Sequence, residues 1–233
     1  QSAIVTTTYN ITTKNLRTGE NGPALQGFIP HHYKHSDVEF AFTDVTYQTP
    51  RGIMKMATGN SFTIKYPFYG LIPYYGAPKV EDIPNPYDPE RMRKFTEIFA
   101  NAHSNDYSGG GYYGGKSVKN MTENMVFAYQ TGNMDIYERQ KAAARRALVD
   151  WFTYTPGEEE HFFAFNDVWG FLCGYNNGYA AELGQDDHLQ WGYYTYAAAL
   201  MCMFDEDFKR DYGEMAKLVG KQYANWKRNE KLP

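Results

Sequence analysis

The chain has 233 residues, with 23 Lys and Arg against 27 Asp and Glu, a formal charge of −4. That balance excludes a generally basic nucleic-acid binder. Hydrophobic residues at 42% and charged residues at 21% supply a folded core and exclude a disordered chain. The 21 Tyr, 15 Phe and 4 Trp are the unusual feature: rings that carry hydroxyls suit ligands with both apolar faces and polar edges, sugars above all.

In chain order, the first 70 residues read as β-structure. Val38, Phe40 and Phe42 alternate with Glu39 and Ala41, a period of two. Val45 to Tyr47, the breaker Thr49-Pro50-Arg51-Gly52 and Ile53 to Met56 read as a hairpin, and Ser61 to Tyr66 as the next strand. Prolines at 67, 73, 78, 84, 86 and 89 then mark a linking region over 71–88. Beyond it the period becomes helical. Asp88-Pro89 supplies a cap and a first-turn proline for a helix through Met92, Phe95, Phe99 and Ala102. Val118 to Ala128, Ile136 to Trp151, His188 to Met203 and Phe208 to Trp226 give four more. The expected domains are therefore 1–70, 71–88 and 89–233.

Two cysteines, Cys173 and Cys202, exclude a disulfide framework and a four-cysteine zinc site, and leave either one bridge or two thiols. No apolar stretch reaches the roughly 20 residues of a membrane span. Asn10-Ile11-Thr12 and Asn120-Met121-Thr122 are glycosylation sequons. Gly110 to Ser117 fits the spacing of a phosphate loop, but Asn101 to Ser108 is no apolar strand, so a loop leading into a helix is the better reading. His31, His32 and His35 are spaced like metal ligands, yet no carboxylate or cysteine completes a set nearby. Glu158 to His161 reads as a solvated acidic turn.

The richest segment runs from Phe165 to Met203. Its loop holds Asn176, Asn177, Gly178, Glu182, Gln185, Asp186, Asp187 and His188, followed by Trp191, Tyr193 and Tyr194. Helix capping by Asp186 or Asp187 is one use of those carboxyls; a cleft where a carboxyl meets a sugar held by rings is the other.

Gly184 to Ala199 resembles the Asn-Asp-His-His-Phe-His-Tyr-Gly-Tyr motif and following Tyr-Ala-Ala-Ala of glycoside hydrolase family 81, the endo-β-1,3-glucanases. Ile29-Pro30-His31-His32, Tyr47 to Met54, Gly70 to Pro73, Tyr112 to Lys116 and Asn166 to Gly170 resemble further family motifs in the family's order. The resemblance implies an α+β multidomain fold: the end of an N-terminal β-sandwich, then the first half of an (α/α)6 barrel. It implies hydrolysis of internal β-1,3-glucosidic bonds with inversion, without metal or organic cofactor, in an extracellular or cell-wall setting. It assigns the general acid to Asp186, puts Asp187, His188 and Gln190 at the family's histidine positions, and leaves the glutamate base outside this chain. A one-residue slip in that register gives the acid role to Asp187. Trp191, Tyr194, Tyr113, His188 and Asp187 are the residues expected to hold the glucan. The alternative reading is a glucan-binding or structural wall protein that kept the groove without the chemistry.

Overall fold

The computed structural model describes residues 3–34, 36–68, 70–72, 74, 84–103, 107, 109–174, 183–225 and 227. It divides into two compact units, Gln1–Pro73 and Tyr74–Pro233.

The first unit is built on two three-stranded antiparallel sheets. Strand β1 (Ala3–Asn10) lies at the edge of one, paired to β8 (Ser61–Phe68), which also pairs the short β5 (Asp37–Val38). The other sheet sets β7 (Gly52–Gly59) between β4 (Ala24–Phe28) and β6 (Thr46–Thr49), and a minor ribbon joins β2 (Thr13–Lys14) to β3 (Asn21–Gly22). The anticipated hairpin is β6–β7, with Thr49 opposite Gly52 and a left-handed Gly52 closing the turn. Phe28 and Ala57 of one sheet share a buried cluster with Phe62 and Ile64 of the other. The alternation over 38–42 is only partly a strand. Phe40 and Phe42 leave the ladder after Val38 and pack their rings on Phe28, the first stacked and the second edge-on, because burial of the rings outweighs continued pairing of a two-residue edge strand.

The second unit carries α1 (Pro89–His103), α2 (Gly111–Gln130), α3 (Met134–Phe152), α4 (Asp187–Phe204) and α5 (Glu206–Ala224). Asp88 accepts the Glu90 and Arg91 N–H groups, capping α1 as its position before Pro89 predicts. Asp205 accepts the Phe208 N–H and caps α5, while Lys141 and Arg145 of α3 flank the same carboxyl. A buried amide, Asn124, donates to the Thr96 carbonyl and to Gln140, tying α1, α2 and α3 together. Helix α4 is the central partner, packed against α2, α3 and α5. Its apolar stripe buries Trp191, Tyr194, Ala198 and Met201 against Trp151 and Phe163.

Helical periodicity does not announce a hairpin between α3 and α4: β9 (Phe163–Asn166) pairs with β10 (Phe171–Gly174). Asn166 builds its turn, its side-chain oxygen accepting the Val168 and Trp169 N–H groups, with Gly170 left-handed. His161 is drawn out of the expected solvated turn, against Trp151 and Asp150. Cys173 and Cys202 are both free thiols. Among the described residues no helix is long and apolar enough to cross a membrane, and no three His, Cys, Asp or Glu side chains gather as a metal site. His35, most of the 71–88 region, Asn176, Asn177, Gly178, Glu182 and Trp226 lie outside the described residues.

Candidate active site

The N-terminus of α4 gathers the groups that the sequence singles out. Asp186 is its N-cap residue, with φ 62° and ψ 10°. That left-handed backbone costs an L-residue on the order of 1 kcal/mol and is tolerated best by Asn and Asp after glycine. The half-buried carboxyl makes no capping hydrogen bond, although it stands where one is normally made. Only the Asp186 backbone serves the helix, its carbonyl accepting from Leu189 and Gln190. Asp186 does not cap, which leaves its acid group available.

Asp187 is the opposite case. It is 7% exposed, and its Oδ2 accepts the Gln222 Nε2–H at 2.8 Å. Gln222, itself buried on α5, uses its carbonyl to accept the Leu172 N–H of β10 at 2.7 Å. One amide therefore joins α4, α5 and the β9–β10 hairpin. Asp187 Oδ1 is buried without a hydrogen bond. Burial pushes this carboxyl above the usual carboxylate range, against the opposing pull of Gln222 and of the Trp191 indole, which stands short of hydrogen-bond geometry. Asp187 thus ties elements together through Gln222 while keeping an edge on the neighbouring cleft.

Two flanks meet this helix end. On one, Tyr112 packs edge-on against Tyr113 and against Tyr193, with ring centroids 5.2 and 5.8 Å apart. Burial, the Tyr112 hydroxyl and the Asp186 carboxylate all push the Tyr193 hydroxyl upward, which puts Asp186 within electrostatic reach of this ring cluster. Tyr113 is 59% exposed, and Lys116 lies over the Tyr112 ring at 5.2 Å. On the other flank, a cleft of about 410 Å³ is lined by Trp169, Phe171, Leu183, Asp187, His188 and Gln222 among others. His188 is exposed there, and Trp169 stands 62% exposed at the hairpin tip.

The helix start at Gly111 settles the phosphate-loop spacing: Gly110 is the N-cap, and Lys116 lies in the second turn of α2, so no loop remains to cradle an anion. Gly114 and Gly115 serve packing instead. A Cβ on Gly115 would stand 2.9 Å from the Tyr194 ring and 3.2 Å from Tyr193 Cβ, so only glycine lets α2 approach α4 this closely.

Two expected sugar contacts are corrected. Trp191 and Tyr194 are fully buried, and Tyr194 packs on Trp151, Phe163 and Gly115. Their spacing with Ala198 and Met201 is that of a core stripe, which outranks the sugar-platform reading of their rings. Tyr113 and His188 are accessible as expected. Sequence reasoning missed Gln222, whose signal was legible: an amide three residues after Val219, on the apolar stripe of α5. It named Tyr193 among the rings of this segment but did not anticipate its edge-on contact with Tyr112. A larger hollow of about 700 Å³ between α4 and α5 has no aromatic lining. The charges around it include the ion pairs Lys209–Glu206 and Lys217–Glu214.

No protein-family model matches the chain. Curated relatives do, among them two glucan endo-1,3-beta-D-glucosidases. The one from Acetivibrio thermocellus is 29% identical over 221 residues, covering 93% of this chain and 27% of the relative. The one from Thermobifida fusca is 27% identical over 236 residues, covering 98% and 30%. Among solved structures, a mutant of the glycoside hydrolase family 81 protein from Clostridium thermocellum superposes with a TM-score of 0.63 at 28% identity, over 99% of this chain and 32% of that one. The chain spans less than a third of the length of each of these relatives.

Proposed function

We propose that the chain is part of a glycoside hydrolase family 81 enzyme, as its similarity to the two glucanases and to the family 81 structure supports, and that the protein containing it hydrolyses internal β-1,3-glucosidic bonds of laminarin, callose or cell-wall glucan with inversion. The two sheets of the first unit are then part of a β-sandwich, and α1 to α5 part of an (α/α)6 barrel. An extracellular or cell-wall setting is part of the same proposal, since a polysaccharide substrate of this kind is met there.

Inversion requires one carboxylic acid to protonate the departing oxygen and a second carboxylate to activate water on the opposite face, about 6.5–9.5 Å away. Asp186 is the acid in this reading, and the base is a glutamate outside the residues of this chain. The observation that carries the assignment is the contrast between neighbours: Asp186 is half-buried and uncommitted to capping, whereas Asp187 is held by Gln222. Tyr113, with Tyr112 and Tyr193 behind it, offers a face on which a glucose ring stacks, and His188 offers a polar contact across the helix end. Chemistry of this kind needs no metal, because protein carboxyls move both protons.

The test is the anomeric outcome. Full-length protein digesting laminarin, followed by proton NMR from the first minutes, should release the α-anomer before mutarotation. Initial release of the β-anomer contradicts inversion, and absence of new reducing ends contradicts the hydrolytic reading.

A further inference from the structure

The motif Ile29-Pro30-His31-His32 has no part in the hydrolytic reading, yet it borders a surface of definite chemistry. Two adjoining cavities in the β unit, of about 500 and 430 Å³, share Tyr9 and His32. Each lies within the roughly 300–1,000 Å³ of ordinary ligand sites. Among the described residues, none that lines either one is Asp, Glu, Lys or Arg, although those residues make up 21% of the chain. What lines them instead is rings, hydroxyls and amides: Tyr66 and Thr7 beside one, Asn10 and Gln26 beside the other.

The rings are arranged for use. Tyr9 and Tyr66 are 46% and 39% exposed, and the Tyr66 hydroxyl stands 3.4 Å from Thr7 Oγ1. The His31 and His32 rings lie against each other at 51°, with centroids 3.9 Å apart. The Ile29 N–H donates to His32 Nδ1 at 3.2 Å, which puts the proton of the neutral ring on Nε2 as a donor. Burial and the adjacent His31 hold the His32 pKa below its ordinary value, which favours that neutral form.

A peptide or nucleic-acid partner with charges to neutralise would need opposite charges here, and an anionic membrane would need basic residues. A neutral polyhydroxylated chain needs ring faces with hydroxyl, amide and imidazole groups around them, which is the inventory present. We propose that this groove, centred on Tyr9 and His32, is a non-hydrolytic binding site for a stretch of oligosaccharide, the same β-1,3-glucan that the helical unit takes. The neutral sugar class follows from the lining; the linkage rests on the hydrolytic reading. No carboxyl is among the described residues lining the groove, so it holds the chain without cleaving it.

The test titrates laminarihexaose into the labelled whole chain and follows the ring signals of His31 and His32 by NMR. Both should shift and saturate. Tyr66→Ala should weaken that response at least about tenfold, the loss typical of truncating an anchoring ring. Tyr9→Ala, on edge strand β1, should do the same and serves if Tyr66→Ala fails to fold. Tyr113→Ala should leave the groove response unchanged. Silent histidine rings, or shifts that survive both groove variants, overturn the site. A full-length protein that leaves laminarin intact while His31 and His32 still respond overturns the hydrolytic reading alone.

Discussion

Replacing Tyr194 with phenylalanine removes one oxygen and keeps the ring that packs against Trp151 and Phe163. The hydroxyl is buried without a hydrogen-bond partner, and burial pushes its pKa well above the ordinary tyrosine value. An unpaired hydroxyl in a protein interior costs about 1–3 kcal/mol, so Tyr194→Phe should stabilise the protein by about 1–2 kcal/mol after allowance for local relaxation. For a chain of this size that is a rise of roughly 2–8 °C in the unfolding midpoint. Urea and thermal unfolding of both forms measure it, and laminarin affinity should be unchanged because the ring never reaches the surface. A fall in stability of 1 kcal/mol or more would mean that the hydroxyl has a partner. A fall in laminarin affinity with stability intact would return Tyr194 to the sugar site.

Two further outcomes follow from the same packing. The buried Asp187 holds its proton to higher pH in the folded state than in the unfolded chain. Its contribution is therefore fully present below the unfolded value and is lost as pH rises through the folded one. Asp187→Asn, which still accepts from Gln222, should remove that loss. Its stability relative to the parent should improve as pH rises above the ordinary carboxyl value of 3.8, and a difference in thermal melts that stays flat with pH contradicts the buried-carboxyl account. Gly115→Ala should destabilise by about 1–2 kcal/mol, because the new methyl meets the immobile Tyr194 ring and overpacking outweighs the roughly 1 kcal/mol gained in helix propensity. An unchanged denaturation midpoint would show that α2 and α4 separate freely.

Elements with one dominant signal were legible in the sequence. The Asp88-Pro89 start of α1 and the Thr49 to Gly52 turn of β6–β7 are each set by local backbone chemistry. The five helices follow from apolar spacing alone. The β9–β10 hairpin was not legible, because four-residue strands give too short a pattern and its turn depends on an Asn166 side chain that reads equally well as a loop residue. At the candidate site, the grouping of carboxyls and rings at one helix end was legible from the sequence. The direction of each side chain was not. Trp191 and Tyr194 look like sugar platforms by type and are core residues by spacing. Asp186 and Asp187 are identical in type, and only the three-dimensional position of Gln222, 35 residues after Asp187, separates them.

The most direct measurement compares Asp186→Asn with Asp187→Asn in the full-length protein. Asparagine keeps the size of Asp186 and tolerates its left-handed backbone, but has no proton to give to a leaving oxygen. General acid catalysis is worth about 10²–10⁴-fold, so laminarin turnover by Asp186→Asn should fall at least about a hundredfold with binding and melting temperature nearly unchanged. Asp187→Asn should retain most of its turnover. Near-normal turnover in Asp186→Asn contradicts the account; collapse in Asp187→Asn alone would move the acid to the buried neighbour.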